Sequence, residues 1–157
     1  MLVNIILILL VLGFVGAGWK DGAIQTAGRV IGAVLGFILA RSWSMSVAFI
    51  FQILLPASWA RLAAFLVIFG FVTRLVGFVF KIAEGVFKII SIIPFIKSIN
   101  SLLGAIAGLI EGIVFLGGAI WIVQNFSLFP TFATTLSSSA IASTIRVIFE
   151  FLLHFVL

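Results

Sequence analysis

The sequence predicts an all-α, polytopic membrane protein with about four transmembrane helices and one or two interfacial amphipathic helices. Of its 157 residues, 64% are hydrophobic and only 8% are charged. In soluble domains about 45–50% of the residues are apolar and about 25% are charged. A soluble chain of this size has too much surface to cover with so few polar groups. The composition therefore excludes a soluble enzyme or binding domain, and it predicts a single transmembrane domain over residues 1–157.

Four apolar segments supply the predicted spans, because a helix needs about 20 apolar residues to cross a bilayer. The spans are residues 2–18, 23–40, 59–80 and 101–124. The first is interpreted as a retained span that ends at the polar turn Gly18-Trp19-Lys20-Asp21-Gly22, where glycines flank two charges. All three prolines, Pro56, Pro94 and Pro130, fall between the spans, as expected of residues that interrupt helices.

Three further segments are predicted to lie at the membrane surface: residues 42–55, 81–93 and 141–157. The segment 42–55 is short for a span and ends at a proline, which indicates an interfacial or re-entrant helix. The segment 81–93 gathers its polar side chains on one stripe, so it is either a surface helix or a continuation of the third span. The run Thr131–Ser139 is predicted to be a loop.

The last segment, 141–157, places Arg146, Glu150 and His154 on one narrow side of a helix. This stripe is either the solvated side of an interfacial helix or a proton-sensitive element, since His titrates near neutral pH. A fifth span with a polar stripe is the alternative to interfacial placement, and we favour the interfacial helix.

Orientation follows from the bias of Lys and Arg in short loops. Under four spans, Lys20, Lys81, Lys88 and Lys97 share one side, against Arg41 and Arg61 on the other. We therefore predict that both termini lie outside the cytoplasm.

The inventory of reactive groups predicts no enzyme, no cofactor and no metal. The chain has no Cys, one His and four acidic residues, too few for a zinc site or a Ser–His–Asp triad. Its net charge is +5, but the cations form no cluster, so we expect no nucleic-acid partner and assign them to membrane orientation.

Two glycine runs with a spacing of four are the strongest pattern. One comprises Gly28, Gly32 and Gly36, and the other Gly104, Gly108 and Gly112. Small residues at this spacing let two helices approach closely in lipid. The runs therefore predict either packing within one chain or a seam between copies, in a homo-oligomer whose glycine helices line a pore.

Arg29, Arg74 and Glu111 fall inside the predicted spans, where charges are costly and usually functional. Arg29 and Glu111 lie at similar depths beside their glycine runs, so we expect an ion pair when the two runs pack, within or between subunits. The alternative is that both arginines snorkel to the headgroups and Glu111 is neutral.

The order of these features resembles the colicin V production protein (CvpA) family. The similar parts are the polar turn at residues 18–22, Asn100 followed by Gly104, Gly108 and Gly112, and a Ser137-Ser138-Ser139 tail before an apolar helix. The chain departs from the family at Asn4, where relatives often have Asp, and at Glu111, where a basic residue is common.

The resemblance implies a small protein of the bacterial inner membrane, linked to bacteriocin production or export and to envelope homeostasis, with envelope or export proteins as partners. It supplies no catalytic residues. We expect a channel-forming or export-accessory protein in the lipid bilayer. The alternatives are a non-transporting scaffold that organises partner proteins and, third, a holin-like lysis protein.

Overall fold

The computed structural model describes residues 2–88, 94–126 and 130–156, which form six helices and, within these ranges, no strand. The helices are α1 (Leu2–Asp21), α2 (Ala23–Phe51), α3 (Ala57–Lys88), α4 (Pro94–Asn125), α5 (Pro130–Ser137) and α6 (Ala140–Val156). The first four are long and apolar enough to cross a membrane. The all-α prediction with about four transmembrane helices is confirmed.

Two antiparallel helix pairs form the bundle. Helix α1 packs on α4, α2 packs on α3, and a parallel contact between α2 and α4 joins the two pairs. The interior at one end is filled by aromatic rings: Phe37 meets Trp121 and Phe149 edge to face, with ring centroids 5.1 and 5.0 Å apart. Such pairs contribute about 0.5–1.5 kcal/mol each beyond their burial, so they stabilise this end of the bundle around an apolar cavity of about 180 Å³.

Helix α2 corrects the predicted segment 42–55. It continues without a break to Phe51, because serines in this stretch carry only a small helix penalty and Ser44 and Ala48 extend the buried face. At 29 residues the helix is about 43 Å long, which exceeds the bilayer core of about 30 Å. The separate helix predicted from residue 42 is therefore wrong, although the chain does turn before Pro56.

Helix α3 decides between the two alternatives for residues 81–93. It runs to Lys88, so residues 81–88 continue the third span rather than form a separate surface helix. Residues 89–93 lie outside the described residues. Helix α4 begins at Pro94, and proline is tolerated in a first helical turn because the amide hydrogens there have no partner within the helix.

The loop predicted over Thr131–Ser139 is wrong, since Pro130–Ser137 is helix α5. Its hydroxyls bond back to the preceding turn: Thr135 Oγ1 donates to the Thr131 carbonyl at 2.9 Å and Ser137 Oγ to the Ala133 carbonyl at 2.9 Å. These bonds satisfy side chains that often favour loops. Ser139 then caps α6 by accepting the Ala142 amide hydrogen at 3.1 Å.

Helix α6 lies across the bundle and contacts three other helices in turn. At its start Ser139 Oγ donates to Asn4 Oδ1 of α1 at 2.5 Å, Phe149 covers Gly117 of α4, and Leu153 borders a pocket with Phe37 of α2. Helices α5 and α6 meet at 89° and could also be counted as one bent span. Interfacial placement of residues 141–156 stays a prediction, which this crossing favours.

The polar stripe of α6 faces away from the bundle. Arg146, Glu150 and His154 are exposed, and Arg146 Nε lies 2.8 Å from Glu150 Oε1. Exposed pairs of this kind contribute little to stability. A second guanidinium nitrogen of Arg146 donates to Gln124 Oε1 at 2.9 Å, so the stripe also ties α6 to the end of α4.

Candidate functional site: an intramembrane charge cluster

Arg29 is the centre of a three-residue charge cluster that joins three helices. From α2, its Nε donates to Glu111 Oε1 of α4 at 2.7 Å, and its Nη1 donates to Asp21 Oδ2 of α1 at 2.6 Å. The ion pair expected between Arg29 and Glu111 is present, and it forms within one chain. Asp21 was missed as a member, although only one residue, Gly22, separates its helix from α2, which keeps Asp21 beside the first turns of α2.

Exposure falls steeply across this cluster. The Asp21 and Arg29 side chains are 31% and 28% exposed, whereas Glu111 is 4% exposed. The second carboxylate oxygen of Glu111, Oε2, is buried without a hydrogen-bond partner in the described part of the chain. The cluster is thus part-exposed at the α1–α2 turn and buried at Glu111. Removal of Arg29 would therefore leave the buried Glu111 carboxylate without a compensating charge.

Thr26 supports Arg29 from one turn earlier in α2. Its hydroxyl, fully buried, donates to the Gly22 carbonyl at 2.8 Å and accepts a weak bond from Arg29 Nη2 at 3.4 Å. The bond to Thr26 helps to fix the position of the Arg29 guanidinium between the two carboxylates. Arg29 therefore loses little additional side-chain entropy when it pairs with them.

Asn100 of α4 fixes the α1–α2 turn. Its Oδ1 accepts the amide hydrogen of Ala23 at 3.0 Å, so it satisfies one of the free amides at the start of α2 from another helix. Gly22 has φ +85°, and a Cβ there would collide with the Asn100 amide nitrogen. The polar turn and Asn100, which lie 78 positions apart in the chain, are one structural unit.

The glycines of α4 bring α1 close to that unit. A Cβ at Gly104 would overlap the Gly18 carbonyl, one at Gly108 would overlap the Phe14 carbonyl, and one at Gly112 would lie 3.1 Å from the Phe14 side chain. Because the contacts at Gly104 and Gly108 are with backbone, the two helices touch there with no side chain between them, and at Gly112 the Phe14 side chain fills the space.

These features coincide with a known family. The model of the colicin V production protein family matches residues 3–149, which include Asn100, all six glycines and the charge cluster. The chain belongs to the colicin V production protein family. It is accordingly a multi-pass membrane protein related to bacteriocin production. No curated protein and no solved structure matches the chain.

In this colicin V production family member the glycines of α2 face α3. Gly28 lies against Phe80, and Cβ atoms at Gly32 and Gly36 would lie 3.2 and 3.1 Å from the carbonyl oxygens of Thr73 and Phe69. The two glycine runs therefore do not pack on each other, and that part of the ion-pair expectation is wrong. Each run packs within the chain, which leaves its glycine face covered.

Arg74 lies apart from the other two predicted intramembrane charges. It is exposed on α3, at the level of Gly32, whose Cβ position adjoins Thr73. Within the described residues it makes no hydrogen bond or ion pair. The sequence therefore identified all three charges, but the structure brings only Arg29 and Glu111 together.

The described residues hold no group of three or more His, Asp or Glu side chains that could bind a metal ion. What this arrangement offers chemically is charge pairing inside an apolar bundle. Asp21, Arg29 and Glu111 form one site of this kind, and Arg74 presents the other charge.

Proposed function

We propose that this chain is an export-accessory protein of the bacterial inner membrane, which acts through assembly with other membrane-spanning chains. The observation that carries this proposal is the apolar interior of the bundle, whose cavity of about 180 Å³ beside Phe37 and Phe65 is lined only by apolar residues and glycine. Both glycine runs are covered by neighbouring helices, and Phe37, Phe65 and Phe149 are buried at 2% exposure or less in the core at one end. A path for solutes through such an interior would require the core to come apart.

The charge distribution supports inner-membrane placement with both termini outside the cytoplasm. Lys20 and Lys81 belong to one end of the bundle, since Gly22 contacts Asn100 and Gly28 contacts Phe80 at that end. Arg41 and Arg61 lie at the other end, where they stack over Trp121 and Phe126. The helical arrangement is thus compatible with the lysine-rich end facing the cytoplasm.

Secretion of a bacteriocin from cells that lack this chain is the direct test. Restoring the wild-type chain should restore secretion, and Arg29→Met should not, because it leaves Glu111 without its cation. Gly13→Leu is the matched control, since a Cβ at Gly13 meets nothing within 4 Å. Secretion that is equal with and without the chain would reject the export role.

A channel formed between copies is the second candidate, and the charge cluster favours it, because intramembrane charges often line ion paths. Flux of ions and small solutes through liposomes that contain the purified chain separates the two functions. An accessory protein should give no flux across a range of potential and pH. Flux that Glu111→Gln alters would favour the channel, and cell killing on timed overexpression would favour a holin-like function instead.

A non-transporting scaffold makes the same flux prediction as the accessory role but differs in secretion. A scaffold that organises envelope proteins unrelated to export would leave bacteriocin secretion intact while changing which proteins co-purify. Secretion, flux and cell killing together therefore separate all four functions.

A further inference from the structure

The outer face of α3 carries a shallow, open groove between its own side chains, which no other helix of the described chain covers. Its volume is about 600 Å³, and it runs from Leu66 to Phe78 with Gly70 and Arg74 in its wall. Every other residue in the wall is Leu, Val or Phe. The groove is therefore apolar with a single cation.

Two glycines on this face are open, in contrast to the covered runs on α2 and α4. A Cβ at Gly70 or at Gly77 would meet nothing within 4 Å, whereas one at Gly32 would meet the Thr73 carbonyl. In lipid, exposed glycine backbone is where another helix can approach closely and gain packing contacts. The groove thus exposes helix backbone at Gly70, one turn from Arg74.

Arg74 has no carboxylate partner within the described chain. Of the four acidic residues of the chain, Asp21 and Glu111 pair with Arg29, and Glu150 pairs with Arg146. The fourth, Glu84, lies ten residues further along α3, about 15 Å from Arg74 at 1.5 Å per residue. A second copy would bring the same four acids, and a symmetric contact through this face would oppose one Arg74 to another. The charge therefore favours a different chain as the partner.

The position of Arg74 along α3 places it inside the bilayer. It is seven residues from Lys81 and thirteen from Arg61, about 10 and 20 Å at 1.5 Å per residue, which together match a core of about 30 Å. Helical side chains tilt toward the helix N-terminus, which for Arg74 is away from the nearer surface. The groove also extends further in that direction, to Leu66.

We propose that this groove docks a transmembrane helix of another protein, and that the helix carries one Asp or Glu about 10 Å inside the bilayer to pair with Arg74. A small residue one turn away on that helix would sit over Gly70. The inference rests on the export-accessory function, and it specifies the chemistry of the partner: an acidic side chain on an otherwise apolar helix. Pairing offsets the cost that each charge has alone in lipid.

Synthetic helices provide the probe. A Leu/Ala transmembrane peptide with one Glu at that depth, and the same peptide with Gln, are labelled for energy transfer to the full-length protein in phosphatidylcholine vesicles. We expect the Glu peptide to associate about tenfold more tightly, the scale of polar contacts between helices in membranes. Arg74→Gln should abolish the preference, while Lys81→Gln, which removes an exposed cation from the same helix, should keep it.

Gly70→Leu fills the groove and should weaken both peptides equally, whereas Gly13→Leu on α1 should leave both unchanged. Thermal melts of each variant show that the bundle is folded. Equal association of the Glu and Gln peptides with the wild-type protein would overturn the proposal.

An anionic lipid headgroup is the competing occupant. If lipid is what Arg74 holds, phosphatidylglycerol should remove the Glu preference, and native mass spectrometry should show lipid retained by the wild type but not by Arg74→Gln. That result would also overturn the proposal. The peptide assay does not depend on secretion. If the Glu preference is absent while the chain still supports bacteriocin secretion, only the docking proposal is rejected. If the chain proves unnecessary for secretion, the export role is rejected and the peptide assay still tests docking.

Discussion

Arg29 and Glu111, 82 residues apart in the chain, lie 2.7 Å apart in the bundle, and they join the α2–α3 pair to the α1–α4 pair. Asp21 completes the cluster from the α1–α2 turn. Three helices therefore share one cation, and the most buried member is the acid on α4. This asymmetry of exposure decides what each substitution should cost.

Removal of the shared cation should be the most damaging change in the cluster. Arg29→Met leaves Glu111 buried and unpaired, which costs about 3–5 kcal/mol in comparable buried pairs. Asp21→Asn removes only a part-exposed partner and should cost about 0–1 kcal/mol. Thermal unfolding in detergent would show the order Arg29→Met, then Glu111→Gln, then Asp21→Asn from most to least destabilised. Equal losses for all three would mean that burial of Glu111 does not govern the cluster.

A charge swap tests the pairing itself. Arg29→Glu with Glu111→Arg restores opposite charges but sets the new glutamate beside Asp21, so the double variant should recover only part of the stability lost by either single change. Adding Asp21→Asn should recover more, because it removes that repulsion. The measurement is the apparent Tm of the four variants. A double variant no more stable than the singles, with or without Asp21→Asn, would argue that the contact contributes nothing.

The glycine contact between α1 and α4 should tolerate no side chain. At Gly104 a Cβ overlaps the Gly18 carbonyl, so Gly104→Ala must push two backbones apart and should destabilise the bundle by about 1–3 kcal/mol, the usual cost of overpacking. Gly13→Ala lies on α1 with nothing within 4 Å and serves as the matched control. Unfolding of both variants in detergent is the readout, and a Gly104→Ala protein as stable as the control would mean that the helices are not in backbone contact.

The sequence predicted this fold well, because membrane insertion reduces the problem to finding apolar segments of sufficient length. It also identified Arg29 and Glu111, since charges are conspicuous in such segments. It failed at two polar stretches. The segment 42–55 is short for a span and ends at Pro56, which suggested a separate helix, but α2 continues through it to Phe51. The Thr/Ser-rich run 131–139 suggested a loop, but the Thr135 and Ser137 hydroxyls donate to carbonyls of the preceding turn and α5 forms instead.

The packing partners of the glycine runs were not readable from spacing alone. A four-residue repeat marks a close-contact face but carries no information about which helix covers it. Each glycine run could have packed against any of the three other spans. The structure pairs Gly28 with Phe80 of α3 and Gly104 with Gly18 of α1, which depends on how the four helices pack and not on the spacing of the glycines.

Gly22 and Asn100 should behave as one unit. Gly22→Ala forces a residue with a side chain to φ +85° and ψ 172°, a region that glycine alone readily adopts, at a cost of about 1–3 kcal/mol, and also crowds the Asn100 amide. Asn100→Ala removes the bond to the Ala23 amide and should cost about 1 kcal/mol, as for other lost helix caps. In a double-mutant cycle of unfolding free energies the two losses should be non-additive, because either change disrupts the same contact. Simple additivity would show that the turn and α4 are independent.

The bond between Ser139 and Asn4 gives a final prediction, on how α6 is held to the bundle. Ser139→Ala removes both the cap of α6 and the bond to Asn4, so it should cost about 1 kcal/mol or more. Ser138→Ala is the matched control, because Ser138 is exposed and bonds only within its own segment. Protection of α6 amides from hydrogen exchange should fall in Ser139→Ala and stay unchanged in Ser138→Ala, since local opening reports the stability of the affected helix. If the two variants show the same protection, α6 is held by its other contacts, such as Phe149, Leu153 and the Arg146–Gln124 bond, and its capping serine has no role in docking.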